Sequence, residues 1–157
     1  MVDDLTALEQ ILARAGADRI RHSSRTLLVH LKGTADILRS WGCGGDICRA
    51  GMFHSVYGTS SFRSALLTER ERPVLRDMIG HAAENLAYLF CTLERPVALD
   101  DWPQRLQGRN RITGITQQLP ADSAMALFLI GSANRLEQQR NRQCQRPTAV
   151  PIPQGER

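Results

Sequence analysis

The chain has 157 residues, a formal net charge of +4 and four cysteines, with 42% hydrophobic and 23% charged residues. That is enough chain to bury one core, and the balance is that of a folded globular domain, not a disordered or fibrous one. No run nears the roughly 20 apolar residues that cross a bilayer, and the acidic, amphipathic start MVDDLTALEQ lacks the pattern of a secretory leader. A cytoplasmic location and no membrane partner are therefore expected.

Nineteen of the twenty basic residues are arginine, Lys32 being the exception. They are scattered among acids as far as RLEQQRNRQCQR (135–146), which is locally cationic. Nucleic-acid binding calls for a denser basic patch with interleaved aromatics, and aromatics make up 5% of the chain, so a nucleic-acid partner is not expected. In a reducing compartment Cys43, Cys48, Cys91 and Cys144 read as free thiols. CGGDIC has no second close cysteine pair to complete a zinc knuckle.

In chain order, Asp3 or Asp4 caps a first helix whose apolar stripe is Leu5, Leu8, Ile11, Leu12 and Ala15, with Gly16 as its stop. Ser23 or Ser24 is the expected cap of a second, through TLLVHLKGTADILRSW to Gly42. A third covers GDICRAGMFHSV, a fourth begins close to Pro73, and HAAENLAYLFCTL makes a fifth. Pro and Gly break residues 94–120 into short helices and loop. Asp122 or Ser123 opens the last strong helix, AMALFLIGSANRLEQQR, and the Pro-rich tail after Arg146 is predicted to be disordered. No run alternates polar and apolar residues long enough for a sheet. The predicted architecture is one all-α domain over 1–146, a compact bundle of five to seven helices.

Three polar side chains fall on faces that should be internal. His30 shares a face with Leu27, Thr34 and Ile37 or Leu38 by i, i+3, i+4 spacing. His54 is embedded between Met52-Phe53 and Val56, and Asn134 continues the stripe of Leu127 and Ile130, with Glu137 and Gln138 one turn on. An unpaired buried polar group costs about 1–3 kcal/mol, so each needs a partner, and a shared internal site would satisfy all three. The alternative is that each histidine separately bonds a carbonyl in the core.

The order His30, then His54 with Ser-Val-Tyr-Gly-Thr 24 residues later, then IGHAAENLAYLFC and LIGSANRLEQ, resembles an HD-domain protein over roughly residues 19–138. The resemblance extends to the hydrolase halves of guanosine tetraphosphate (ppGpp) enzymes. It is closer to a bacterial HD-like group of no established activity that carries "HS-YGT" and "AN-LEQ". It implies a metal held at the positions of His30, His54-Ser55 and Asn134. Here Ser55 and Asn134 stand where the family has aspartates, and Tyr57, Gly58 and Thr59 where the hydrolases have acids. Two imidazoles and an amide hold Mg²⁺ or Mn²⁺ poorly, because hard ions want carboxylates, so ordinary ppGpp hydrolysis is disfavoured.

Two kinds of site stay open. With His22, Glu84, Glu137 or His81 nearby, His30 and His54 could bind a transition metal, Fe, Mn or Zn. Without one, His30, His54, Ser55, Tyr57, Thr59 and Asn134 would line a polar pocket, with Arg25 and perhaps Arg19, from RIRHSSR, holding an anion. His54 or His30 would then serve as base and Ser55 as orienter. The expected function is a small HD-like enzyme (hydrolase, lyase or oxygenase) acting on a small polar or phosphorylated metabolite. The alternatives are a non-catalytic module that binds a nucleotide-like ligand and a helical interaction protein. Trp102 and Phe62 are the apolar residues expected to be exposed for a homodimer.

Overall fold

A computed structural model of the chain describes residues 4–144 except residue 97, and no side chain beyond Arg140. Asp4 begins the first helix as its cap: its carboxylate accepts the Thr6 amide at 2.9 Å, satisfying a donor that a helix N-terminus leaves unpaired. From there α1 (Leu5–Arg14) buries Leu5, Leu8 and Leu12.

The next element departs from expectation. Arg21–His22 (β1) and Arg25–Thr26 (β2) form an antiparallel ribbon, with His22 opposite Arg25. Ser23 and Ser24 make its turn, Ser23 at φ 60°, so neither caps the second helix. Thr26 does, its hydroxyl accepting the Val29 amide at 3.4 Å, and α2 runs Leu27–Ser40. A two-residue polar strand has no periodicity to read, which is why the ribbon escapes the sequence pattern.

Gly44 leads into α3 (Gly45–Met52), which ends sooner than GDICRAGMFHSV suggests. His54 and Ser55 therefore lie in the tight turns after it. Gly58 at φ 73° closes that segment, where a Cβ would sit 3.3 Å from the Arg63 carbonyl oxygen. A 3₁₀ turn (Glu69–Glu71) leads to α4 (Arg72–Ile79), which has Pro73 in its first turn, as expected. Gly80 at φ 90° joins it to α5 (His81–Thr92). Residues 94–120 hold α6 (Asp101–Arg105) and a hairpin of β3 (Gln107–Arg109) and β4 (Thr116–Gln118), with Gly108 opposite Gln117. The last helix, α7, spans Ala121–Cys144.

The molecule is mostly helical, with seven α-helices among the described residues and two small antiparallel hairpins that correct the all-α expectation. α2 packs against α1, α3 and α7, and α5 against α3, α4 and α7. Between them Leu31, Leu38, Phe53, Val56, Phe90 and Ile130 are buried. Trp102, expected to be exposed, is 2% exposed and tilts against Phe90 at 6.1 Å, while Phe62 is half-buried on the core. Trp102 is therefore not the exposed apolar residue expected for a homodimer. Cys43, Cys48 and Cys91 are free thiols, and burial pushes Cys91 up to about 12. No helix among the described residues is long and apolar enough to cross a membrane. The predicted disordered tail lies outside the described residues.

Candidate functional site

His30 projects from the first turn of α2 into the core because Leu27, Leu31, Thr34 and Leu38 set that face inward. His54 arrives from the turn after α3, 1% exposed and edge-on to Phe90 at 5.3 Å. Their Nε2 atoms stand 3.2 Å apart. The two imidazoles therefore converge, as the polar pattern anticipates.

The other ring nitrogens are already committed. His54 Nδ1 lies 2.6 Å from the Gly51 carbonyl oxygen, which can only accept, so Nδ1 carries the proton. His30 Nδ1 meets the Glu137 carboxylate and likewise donates. Burial depresses both rings: His54 falls to about 3, and His30 drops well below the ordinary imidazole range, with its imidazole neighbours acting in the same direction. Two neutral rings protonated at Nδ1 turn bare Nε2 lone pairs toward each other. That contact is unfavourable unless a cation or a shared proton lies between them. Tying Nδ1–H to a carboxylate or carbonyl is how proteins prepare a ligating histidine.

Asn134, on α7, lies beside both rings and opposes the effect of burial on them, and its Oδ1 accepts from Gln138 Nε2 at 3.1 Å. His22 stacks flat on His30, with ring centroids 4.1 Å apart and planes 9° apart, and its pKa is lowered by burial and then by Arg25. Glu137 is buried and bridges His30 to Arg25, whose guanidinium pairs with its carboxylate and donates to its carbonyl at 3.3 Å. Gly33 makes room for it: a Cβ there would sit 3.0 Å from Glu137 Oε1.

A cavity of about 350 Å³ opens beside the pair. His30, His22, Ser55, Thr59 and Asn134 contribute to its wall, and His54 sits behind His30. Ser55 is buried at the wall, and its hydroxyl makes no hydrogen bond among the described residues. Thr59 also closes its own turn, Oγ1 accepting the Phe62 amide at 3.0 Å.

Four expectations need correction. Arg25 does not face the cavity as an anion holder, because Glu137 engages it. Arg19 is an exposed residue beside Asp18. Glu84 and Tyr57 belong to a separate network: Glu84, fully buried, takes Arg72 Nε at 2.6 Å, Arg76 Nε at 2.7 Å and the Tyr57 hydroxyl at 3.0 Å. That cluster joins α4 and α5 and contributes nothing to the cavity wall. His81 is exposed at the start of α5. Sequence reasoning missed Arg95 and Arg135, which do line the cavity. Arg95 follows the end of α5 in a Pro-containing stretch, where no periodicity indicates which way a side chain turns.

The donor set suits a metal in part. Two imidazole nitrogens 3.2 Å apart can both reach one ion at bond lengths of about 2.0–2.1 Å. Among the described residues, no group of three His, Cys, Asp or Glu is arranged to hold a metal. Any ion would rest on two imidazoles with the Asn134 carboxamide, a neutral set suited to borderline metals over hard ones.

A family model, Domain of unknown function (DUF6817), matches residues 11–95, just over half of the chain. The chain belongs to this family. The DUF6817 span takes in His22, His30, His54, Ser55 and Thr59 and ends on Arg95, whereas Asn134 and Glu137 lie outside it on α7. No curated protein and no solved structure matches the chain.

Proposed function

We propose that this DUF6817 protein is a small cytoplasmic HD-like enzyme acting on a small polar or phosphorylated metabolite in the cavity beside His30. Its metal site is a departure from the HD pattern. His30 and His54 would hold iron, manganese or zinc through Nε2, with the Asn134 carboxamide alongside. The single supporting observation is the pair of bare Nε2 atoms 3.2 Å apart, each ring fixed in one tautomer through Nδ1.

A bound metal would supply Lewis-acid polarisation of a substrate oxygen. The chain's own residues do the rest. Glu137 keeps the proton of His30 on Nδ1, and the Gly51 carbonyl does the same for His54. Rings this far below the ordinary imidazole range are weak bases at neutral pH, which favours ligation over general-base work. Ser55 and Thr59 offer hydroxyls to orient the substrate at the wall.

Full-length protein purified without a histidine tag should carry near one equivalent of Fe, Mn or Zn. His54→Ala should lose it while keeping its helical circular dichroism. Absence of metal in the parent protein would overturn the metal site. A second reading, a non-catalytic module for a nucleotide-like ligand, is favoured by Ser55 and Asn134 standing where carboxylates would serve metal chemistry. Metal-free protein with no turnover, stabilised thermally by nucleotides, would select it.

A further inference from the structure

The lining of the cavity contains no aspartate or glutamate, and two of its residues are arginines, Arg95 and Arg135. The other partly buried guanidiniums have partners. Arg25 lies on Glu137, Arg49 on Asp46, Arg72 and Arg76 on Glu84, and Arg111 donates to the Cys91 and Gly58 carbonyls. Arg95 differs. Its guanidinium lies 3.7 Å from the centroid of Phe90, the ring that also backs His54. Its Nε is buried with no hydrogen-bond partner among the described residues, as is that of Arg25, but the Arg25 guanidinium is paired with Glu137 whereas no carboxylate among these residues pairs with Arg95.

A guanidinium partly withdrawn from water without a counter-charge carries a cost, and an aromatic face offsets only part of it. A negative charge in the cavity would complete its surroundings. We propose that Arg95 anchors an oxyanion, the carboxylate or phosphoryl group of a small metabolite, within this cavity beside His30 and Ser55. This deepens the proposed function and rests on its assignment of the cavity as the substrate site.

The planar fork of arginine matches both oxyanions bidentately. Burial lowers Arg95 to about 10, which leaves it cationic at neutral pH. Arg135, exposed on the turn next to Asn134, adds positive potential at the rim. The volume of about 350 Å³ is near the lower end of the roughly 300–1,000 Å³ of ligand sites, which points to a small metabolite.

The test is calorimetric titration of the full chain with inorganic phosphate and, separately, with malonate. Saturable binding of one of them identifies the group, and Arg95→Gln should weaken it at least tenfold, a loss of about 1.4 kcal/mol. If Arg95→Gln fails to fold, Arg95→Lys keeps the charge over Phe90 but loses the fork, and should weaken binding at an unchanged melting temperature. Arg109→Gln, at an exposed pair with Glu94, should bind as the parent does. No saturable binding of either anion, or equal binding by the Arg95 variants, overturns the proposal. Metal content measured on the same samples separates the two readings. Metal-free protein that binds an anion through Arg95 sinks the metal site alone, whereas metal-loaded protein blind to both anions sinks the subsite alone.

Discussion

At the scale of single residues, the chemistry turns on what His30 and His54 are denied. Each is withdrawn from water, and each has one nitrogen occupied by an acceptor it cannot exchange. The pH dependence of stability follows with a definite sign. His54 has a folded pKa near 3 against about 6.5 in an unfolded chain, so between these values the unfolded state binds the extra proton. Its contribution is complete above about pH 6.5 and is lost as pH falls toward 3, by up to about 1.4 kcal/mol per pH unit. Urea midpoints measured from pH 7 to pH 4 should fall, and His54→Gln should flatten that fall. An unchanged slope would show that the ring is not buried neutral. Glu137 supports His30 from behind and also holds Arg25. Glu137→Gln should cost about 2–4 kcal/mol in chemical denaturation and lower any metal affinity roughly 10–100-fold.

At the scale of elements, glycines and one buried acid decide how the helices meet. Gly51 lies where α3 crosses α2, and a Cβ there would sit 2.2 Å from Leu38 Cδ1. Gly51→Ala should cost about 1–3 kcal/mol by overpacking, read as a lower urea midpoint with helix content unchanged, and it displaces the carbonyl that fixes the His54 tautomer. Glu84 is the other junction, gathering Arg72 and Arg76 of α4 and Tyr57 onto α5. Since both arginines can still reach water, Glu84→Gln should cost about 3 kcal/mol, below the top of the range for a broken buried pair. Metal content and anion binding should be unaffected, because this network stands apart from the cavity. Helix junctions of this kind are invisible to periodicity, which says that a face is buried but not what it meets.

Across the whole molecule, α7 is the element that closes the site, packing on α2, α3, α5 and α6 and bringing Asn134 and Glu137 to histidines that the rest of the chain has already positioned. Unfolding should therefore be cooperative. Trp102 is buried and Trp41 is 45% exposed, so in a Trp41→Phe variant the fluorescence of Trp102 reports the core alone. Its transition should coincide with that of far-UV circular dichroism, and separated midpoints would reveal independent folding units. The helices were legible because long amphipathic runs repeat at 3.6 residues: α1, α2, α5 and α7 are where the stripes place them, and His30 and Asn134 are on the faces those stripes turn inward. The ribbons QGR/TQQ and RH/RT were not, since strands of two or three residues are held by register alone. Charge pairing was also hidden. Arg25 looked like the residue that would hold an anion, yet it meets Glu137, 112 residues along the chain, while Arg95 carried no signal and reached the cavity. Local periodicity settles which side of a helix avoids water, because that depends on near neighbours. Which nitrogen faces which, and which arginine keeps its charge for a ligand, depends on partners a hundred residues away, and only packing of the folded chain decides it.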